Sequence, residues 1–415
     1  MTGVAIVGAG MTALGKFPEA SVKSLTQQAV GEALKDAGLD ISSVQAAWFS
    51  NSRQGLFEGQ NGIRGQCALR PLGIGPIPIT NVENACASGS TALFNAVSHI
   101  AAGFCDVALV VGAEKMYFPD NRPMMFRAFL GGTDIHRLEE FERKVAGWAQ
   151  NLVPEEFTDQ SQVQRSFFMD SYAGQARLHM QKFGTTRRQL AAVAAKNHWR
   201  STMNPLAQYQ HDMSIDEVLA SRSISWPLTL PMCAPISDGA AALVLCSEKM
   251  ARSLYADKAI GIRGISLLTG ISRADSDFSQ HIGRLAALDV YEKSGIEPTD
   301  IDVAEVHDAT AYSEIQQIEN LGLCPIGEGG SFSEAGHTRL GGKVPVNTSG
   351  GLISKGHPVG ATGLMQIQEL VAQLRHRAGK RQVPDARIGV AENGGGFYEN
   401  EEATTVITVL EKIKC

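Results

Sequence analysis

Short apolar runs alternate along this chain with segments of helical periodicity. The stretch 77–82 has the character of a strand, and small residues follow it. Leu93, Val97 and Ile100 then recur at helical spacing, before a second apolar run at 107–114. The pattern predicts a unit of strand, turn, helix and strand.

The second half of the chain repeats this order. Residues 344–347 read as a strand and 348–351 as a turn of small residues. A helical pattern from Leu364 to Leu374 leads to the strand-like run 388–392. Strands that alternate with helices in this way favour parallel sheets covered on both faces. The repeat predicts an α/β protein of two similar halves, although such units are common enough to recur by coincidence.

The apolar runs also suggest where the halves meet. The first half ends after the run 240–245, and the second begins near 260–265. We therefore predict an N-terminal half at residues 1–255 and a C-terminal half at 256–415. The repeat does not require residues 117–235, so this stretch is predicted to be an inserted loop region, called the insertion below.

Composition narrows the class of protein. The 415 residues are 44% hydrophobic and 19% charged, as in ordinary globular proteins, and the net charge of −6 weighs against nucleic-acid binding. The seven cysteines form no C-x-x-C pair, so neither bound zinc nor disulfides are expected. We expect no membrane span, because no apolar run is long enough, and a cytoplasmic location.

Cys86 is the first candidate for chemistry, because it lies where the strand-like stretch gives way to the helix. The unpaired N–H groups and partial positive charge of a helix start lower the pKa of a nearby thiol. The pattern therefore predicts a nucleophile that is more ionised than an average cysteine. The alternative is a buried structural cysteine.

Two histidines are candidate partners for this thiol. His357 lies in a glycine-flanked loop before the second helix, where an imidazole could accept the thiol proton. His307 follows the strand-like stretch 301–306, and functional side chains gather at strand ends in α/β sheets. It could donate to a substrate carbonyl oxygen. Either histidine could instead only hold its loop.

Glu392 completes the set of candidates. It precedes the glycine run 394–396, which permits close approach of a ligand to the backbone. A partly buried carboxyl there would have a raised pKa and could carry a proton. The alternative is a carboxylate that only anchors the loop.

The chain resembles the thiolase superfamily, and most closely its sterol-carrier-protein type, also called the lipid-transfer type. The resemblance rests on the residues at 6–12, 84–90, 237–241, 307–309 and 347–363. It implies a five-layered αβαβα fold and homodimers or homotetramers. It also implies a coenzyme A thioester as substrate, with no permanently bound cofactor.

The resemblance implies a role for each candidate. Cys86 would carry the acyl group, and His357 would activate it. His307 would replace the asparagine of many thiolases and help His357 to stabilise an enolate. The backbone N–H groups of Cys86 and Gly394 would form a second oxyanion hole.

The chain departs from the family at one point, because Glu392 stands where the C-x-G motif has a second cysteine. Thiolase-like proteins without that cysteine include acyltransferases, and some work with a small OB-fold or zinc-ribbon partner.

Three functions follow from these features. The preferred one is an acyl-CoA C-acyltransferase or β-ketoacyl-CoA thiolase that acts through an acyl-cysteine. The alternatives are a lipid-transfer-type retro-aldolase acting on a β-hydroxyacyl-CoA and a non-catalytic acyl-CoA-binding subunit.

Overall fold

A computed structural model describes residues 2–157 and 166–413. Residues 158–165 of the insertion therefore lie outside the described residues. The strands are β1 (Val4–Met11), β2 (Ala46–Ser50), β3 (Ile79–Val82), β4 (Val107–Glu114), β5 (Ser223–Ser225), β6 (Leu228–Thr229), β7 (Gly239–Ser247), β8 (Ile260–Thr269), β9 (Val303–Glu305), β10 (Ile388–Gly395) and β11 (Thr404–Lys412). The helices are α1 (Val22–Ala37), α2 (Gln54–Glu58), α3 (Arg64–Leu69), α4 (Ser88–Ala101), α5 (Arg122–Leu130), α6 (Leu138–Gly147), α7 (Phe167–Phe183), α8 (Arg187–Ser201), α9 (Ile215–Ala220), α10 (Glu248–Leu254), α11 (Ile282–Ser294), α12 (Ala311–Asn320), α13 (Gly329–Glu334) and α14 (Thr362–Leu374).

The main sheet has the strand order β3-β2-β4-β7-β1-β8-β11-β10-β9. Its two parts meet where β1 and β8 pair over two residues, Ala5 with Gly261 and Ile6 with Ile260. In the first half, β2 and β4 are parallel, and β4 and β7 are antiparallel. In the second half, β9 and β10 are parallel, and β10 and β11 are antiparallel. The two halves therefore share one topology, as the sequence repeat predicted.

The predicted strand 344–347 is reduced to a single parallel bridge between Val346 and Ala304 beside β9. Pro345 has no N–H to donate, and the N–H of Val346 turns away to the carbonyl oxygen of Thr338. This bridge occupies the position that β3 holds in the first half.

Apolar side chains on the two faces of the sheets divide the protein into layers. Helices α4 and α14 pack together between the two halves of the sheet, in a core that includes Leu93 and Leu364. Helix α1 covers the outer face of the first half, and α11 and α12 cover that of the second. The order is αβαβα, as predicted.

Within the insertion, α6, α7 and α8 form an apolar cluster of their own. Trp148, Phe167, Phe168 and Tyr172 are buried in it and pack with Phe397, which follows the glycine run. The insertion therefore forms part of the wall around the glycine run. In the described part of the chain, no helix is both long and apolar enough to span a bilayer.

Candidate active site

Cys86 lies in a single turn, Ala85–Ala87, directly before α4. Ala85 adopts a left-handed conformation with φ of 48°. The hydroxyl of Ser88 accepts the N–H of Asn84 at 2.8 Å and donates to the carbonyl oxygen of Ala85 at 2.6 Å. Because these bonds fix a backbone conformation that most side chains disfavour, the turn holds Cys86 in one place.

The glycine run packs directly against this turn. A Cβ atom at Gly395 would collide with the carbonyl oxygen of Asn84, so the close approach requires glycine. The backbone N–H of Gly396 is near enough to the sulfur of Cys86 to favour its thiolate and to oppose a rise in its pKa. The sequence had assigned a backbone donor to Gly394 and had missed Gly396; the role of Gly394 stays a prediction.

Cys86, His307 and His357 come together at one point, although more than 200 residues separate the cysteine from either histidine along the chain. The cysteine sulfur and one ring nitrogen of each histidine all lie within 4.8 Å of one another. The two imidazole rings meet edge to face, with centroids 5.2 Å apart and an interplanar angle of 78°.

The hydrogen bonds of His357 determine which of its nitrogens is a base. Its Nδ1 lies 2.7 Å from the hydroxyl of Thr362, and that hydroxyl donates its proton to the carbonyl oxygen of Pro358 at 3.0 Å. Thr362 must therefore accept from Nδ1–H, which leaves Nε2 of His357 with a free lone pair. The backbone N–H of His357 donates to the hydroxyl oxygen of Ser237 at 2.9 Å, which helps to hold the loop in place.

His307 has the opposite arrangement. Its Nδ1 lies 2.9 Å from the amide nitrogen of Asn393, which can only donate. The proton of neutral His307 is therefore on Nε2. The site thus combines one imidazole that can accept a proton with one that can donate a hydrogen bond.

Glu392 lies outside the group of three. Its Oε2 accepts the backbone N–H of His307 at 3.0 Å, and its Oε1 is buried without a hydrogen-bond partner among the described residues. Burial raises the pKa of Glu392 well above its ordinary value, and the charge of Glu402 adds to the effect. Glu392 therefore anchors His307, and its proton-transfer role stays a prediction.

The protonation state of Cys86 differs from the sequence-based expectation. Burial raises the pKa of the thiol from 9.0 to about 11, although the positive charge of Arg53 and the N–H of Gly396 oppose the rise. The helix start alone had predicted a lowered pKa. The residue nevertheless stays partly exposed to solvent.

Burial also keeps both histidines neutral. It lowers the pKa of His307 from 6.5 to about 4, against the opposing charge of Glu402. The pKa of His357 falls well below its ordinary value through burial and the nearby His307 and Arg53. The resting site is therefore a neutral thiol beside a neutral imidazole base.

Three residues near Cys86 were missed by sequence reasoning. The buried Arg53 supplies the positive charge described above. Burial raises the pKa of Tyr172 well above its ordinary value, and the nearby Glu402 and Cys86 add to the effect. The carboxylate of Glu114, at the end of β4, accepts a hydrogen bond from the backbone N–H of Gly360, in the loop that carries His357. No local motif marks these residues, because each reaches the site through long-range packing.

Among the described residues, Cys86, His307 and His357 are also the group of His, Cys, Asp and Glu side chains placed closely enough to hold a metal ion. The sequence had given no sign of such a group, because its members are far apart along the chain. The donor set suits zinc, but Nε2 of His307 carries a proton and is not a free ligand.

These features define an α/β protein of thiolase-like architecture with a centre of one partly exposed cysteine and two buried histidines. The family model described as "Thiolase, N-terminal domain" matches residues 4–217, and the model "Thiolase C-terminal domain-like" matches residues 269–409. The chain belongs to the thiolase family. This confirms the predicted class of enzyme, a thiolase-like acyltransferase.

Individual relatives agree with this assignment. The chain is 37% identical over 406 residues to "Acetyl-CoA acetyltransferase" of Methanothermobacter thermautotrophicus, across 95% of this chain and 97% of that protein. It is 38% identical over 405 residues to "Sterol carrier protein 2" of Homo sapiens, across 94% of this chain and 70% of that protein. A solved "Ltp2-ChsH2(DUF35) aldolase" has a TM-score of 0.76 at 24% identity, covers 99% of this chain and 98% of its own, and shows the fold alone. The sterol-carrier-protein type is thereby confirmed.

Proposed function

We propose that this protein is an acyl-CoA C-acyltransferase or β-ketoacyl-CoA thiolase that works through an acyl group on Cys86. The observation that carries the proposal is the meeting of a thiol, an acceptor imidazole and a donor imidazole within 4.8 Å. The relative named "Acetyl-CoA acetyltransferase" supports a coenzyme A thioester as substrate. That no cofactor stays permanently bound is part of the proposal.

In the first half-reaction, Nε2 of His357 takes the thiol proton while the sulfur attacks the thioester carbonyl. The bond between the acyl carbon and the coenzyme A sulfur breaks, and the departing sulfur takes the proton from His357. Because the thiol pKa is about 11, little thiolate exists before this step. Backbone N–H groups at Cys86 and the glycine run, with Gly394 or Gly396 as the second donor, stabilise the tetrahedral oxyanion.

In the second half-reaction, the bond between the acyl carbon and the Cys86 sulfur breaks, and the acyl group passes to coenzyme A or to a carbon nucleophile. The Cys86 sulfur regains a proton, which comes from the coenzyme A thiol through His357 or from the carbon nucleophile through Glu392. Nε2–H of His307 donates to the carbonyl oxygen of the second substrate and stabilises its enolate. Glu392 is the proposed carrier of the α-proton in place of the family's second cysteine. Burial raises the pKa of Glu392. This supports the role, because a group transfers protons best when its pKa lies near the working pH.

The assembly is also proposed to be a homodimer or homotetramer, as the family resemblance implies. A small OB-fold or zinc-ribbon partner is a further part of the proposal. The solved aldolase of similar fold is named for two components, Ltp2 and ChsH2(DUF35), which is compatible with such a partner.

Intact mass spectrometry after exposure to a panel of acyl-CoAs and β-ketoacyl-CoAs tests the proposal. We expect an adduct with the mass of the acyl group that is lost in Cys86→Ala and retained in Cys105→Ala, a matched control on another partly exposed cysteine. No adduct with any member of the panel would contradict the acyl-enzyme.

Turnover of the variants separates the remaining functions. Full cleavage of β-hydroxyacyl-CoAs by Cys86→Ala would indicate a retro-aldolase, because no covalent intermediate would be needed. Binding of acyl-CoA without turnover, unchanged in His357→Gln, would indicate a non-catalytic subunit.

A further inference from the structure

The side-chain amide of Asn393 contacts the imidazole of His307 at Nδ1. Its Nδ2 is 2.9 Å from Nδ1 of His307, and both side chains are buried. An amide nitrogen has protons and no available lone pair, so it can only donate here. The amide therefore selects the form of His307 that carries its proton on Nε2.

The surroundings fix the direction of this amide. The hydroxyl of Ser90 donates to Oδ1 of Asn393 at 2.9 Å, while Nδ2 lies 3.4 Å from the carbonyl oxygen of Gly394. A reversed amide would place its oxygen against that carbonyl oxygen, where two acceptors repel. A Cβ atom at Gly363 would collide with the Ser90 hydroxyl, so this arrangement also depends on glycine there.

The same amide opposes metal binding by the three reactive side chains. A histidine that binds a metal through Nε2 must carry its proton on Nδ1, and in metal sites that proton is donated to a carboxylate, a carbonyl or water. Asn393 offers His307 a donor instead of an acceptor. Metal binding would therefore cost the His307–Asn393 hydrogen bond and place two donors face to face.

We propose that Asn393 is a positioning residue that keeps the His307 proton on Nε2, which supplies the substrate with a hydrogen-bond donor and prevents Cys86, His307 and His357 from binding zinc. The first consequence rests on the proposed function. The second concerns only the resting protein, so it can be tested without turnover.

Asn393→Asp is the sharpest test, because aspartate has nearly the same shape but can only accept at this position when ionised. We expect it to move the His307 proton to Nδ1 and to create the carboxylate–histidine pair typical of zinc ligands. Equilibrium dialysis with zinc should show roughly 10- to 100-fold tighter binding than in the wild type. Cobalt should give a thiolate-to-metal absorption band that disappears in the double variant Asn393→Asp/Cys86→Ala.

Nitrogen-15 NMR spectra of the wild type with labelled histidines show which ring nitrogen of His307 carries the proton, and the variant His307→Gln assigns the signal. This measurement does not depend on the folding of Asn393→Asp. We expect the pattern of a proton on Nε2. A proton on Nδ1, or zinc binding by the wild type as tight as by Asn393→Asp, would overturn the proposal.

Kinetics separate this inference from the proposed function. If the wild type forms an acyl adduct, Asn393→Asp should lower kcat about 100-fold, the usual effect of losing one oxyanion donor. An unchanged kcat in a protein that still forms the adduct would overturn the catalytic consequence. If the wild type forms no adduct, the proposed function fails, while the nitrogen-15 and zinc measurements still decide the role of Asn393.

Discussion

Glu114 accepts the backbone N–H of Gly360 at 2.9 Å, so the last residue of a strand in one half holds the loop that carries His357 in the other. The same carboxylate accepts three more N–H groups, from the side chain of Asn51 and the backbones of Ser52 and Arg53. The carboxylate thus connects the segment that carries Arg53, near Cys86, to the loop that carries His357.

Glu114→Gln tests this connection. An amide has one acceptor oxygen instead of two and places an NH₂ group against N–H donors, so we expect a loss of about 1–3 kcal/mol in the free energy of unfolding. Acylation of Cys86 should also slow, because the His357 loop shifts. Chemical denaturation and single-turnover acylation measure the two effects.

Glu140→Gln is the control, since Glu140 forms an exposed, solvent-screened pair with Arg137 and should leave the free energy of unfolding almost unchanged. Equal losses in the two variants would contradict the special role of Glu114.

Thr362→Val should impair the base without changing the shape of the site. Valine cannot accept from Nδ1–H of His357, so the imidazole loses the bond that leaves Nε2 free. We expect about a 10-fold or larger loss in the rate of Cys86 acylation. Thr362→Ser keeps the hydroxyl and should stay close to the wild-type rate; a similar loss in both variants would point to packing instead.

Alkylation of Cys86 should require a higher pH than alkylation of an ordinary cysteine. With a thiol pKa of about 11, alkylation by iodoacetamide should keep rising between pH 9 and pH 11. At pH 8 it should be roughly 100-fold slower than for an ordinary cysteine, in proportion to the thiolate fraction. Arg53→Met removes a positive charge that stabilises the thiolate and should raise the pKa further. A reaction that levels off below pH 8 would contradict the burial effect.

His307 should make stability depend on pH. Its pKa is about 4 in the folded protein against an ordinary 6.5, so between these values the unfolded chain binds the extra proton. The contribution of neutral His307 is complete above about pH 6.5 and is lost progressively as the pH falls towards about 4, by up to about 3 kcal/mol. Denaturation at pH 7 and pH 5 should show a smaller difference for His307→Gln than for the wild type. Equal differences would argue against a lowered pKa.

Glu392→Gln separates anchoring from proton transfer. Glutamine can still accept the His307 N–H, so the anchor remains. We expect acylation of Cys86 within a few-fold of wild type, but a loss of about 10²- to 10⁴-fold in condensation or thiolysis, because the amide cannot carry the proton. Full turnover in this variant would assign the α-proton to another group.

Local sequence patterns predicted the repeated units well. Helices α4 and α14 follow from apolar residues at helical spacing, and β4, β7 and β10 from short apolar runs. The run 344–347 failed as a strand because the direction of the Val346 N–H depends on Thr338. That contact is set by tertiary packing and has no signal in the local pattern.

The candidate residues were found from their positions at strand ends and helix starts, with family motifs to rank them. The protonation states of these residues could not be predicted from the sequence. The position of Cys86 at a helix start predicted a lowered pKa for its thiol, whereas burial in the folded protein raises that pKa to about 11. Desolvation depends on everything that surrounds a group, so a motif of eight residues cannot supply it.

The sequence by itself therefore determined the α/β class, the two similar halves and the reactive residue types, because periodicity and short motifs are local properties of a chain. Only the tertiary structure decided which nitrogen of each histidine is free, which backbone N–H reaches the sulfur, and which charges act on it. Those features arise from contacts between Cys86, His307, Asn393 and Thr362, whose separation along the chain leaves no local trace.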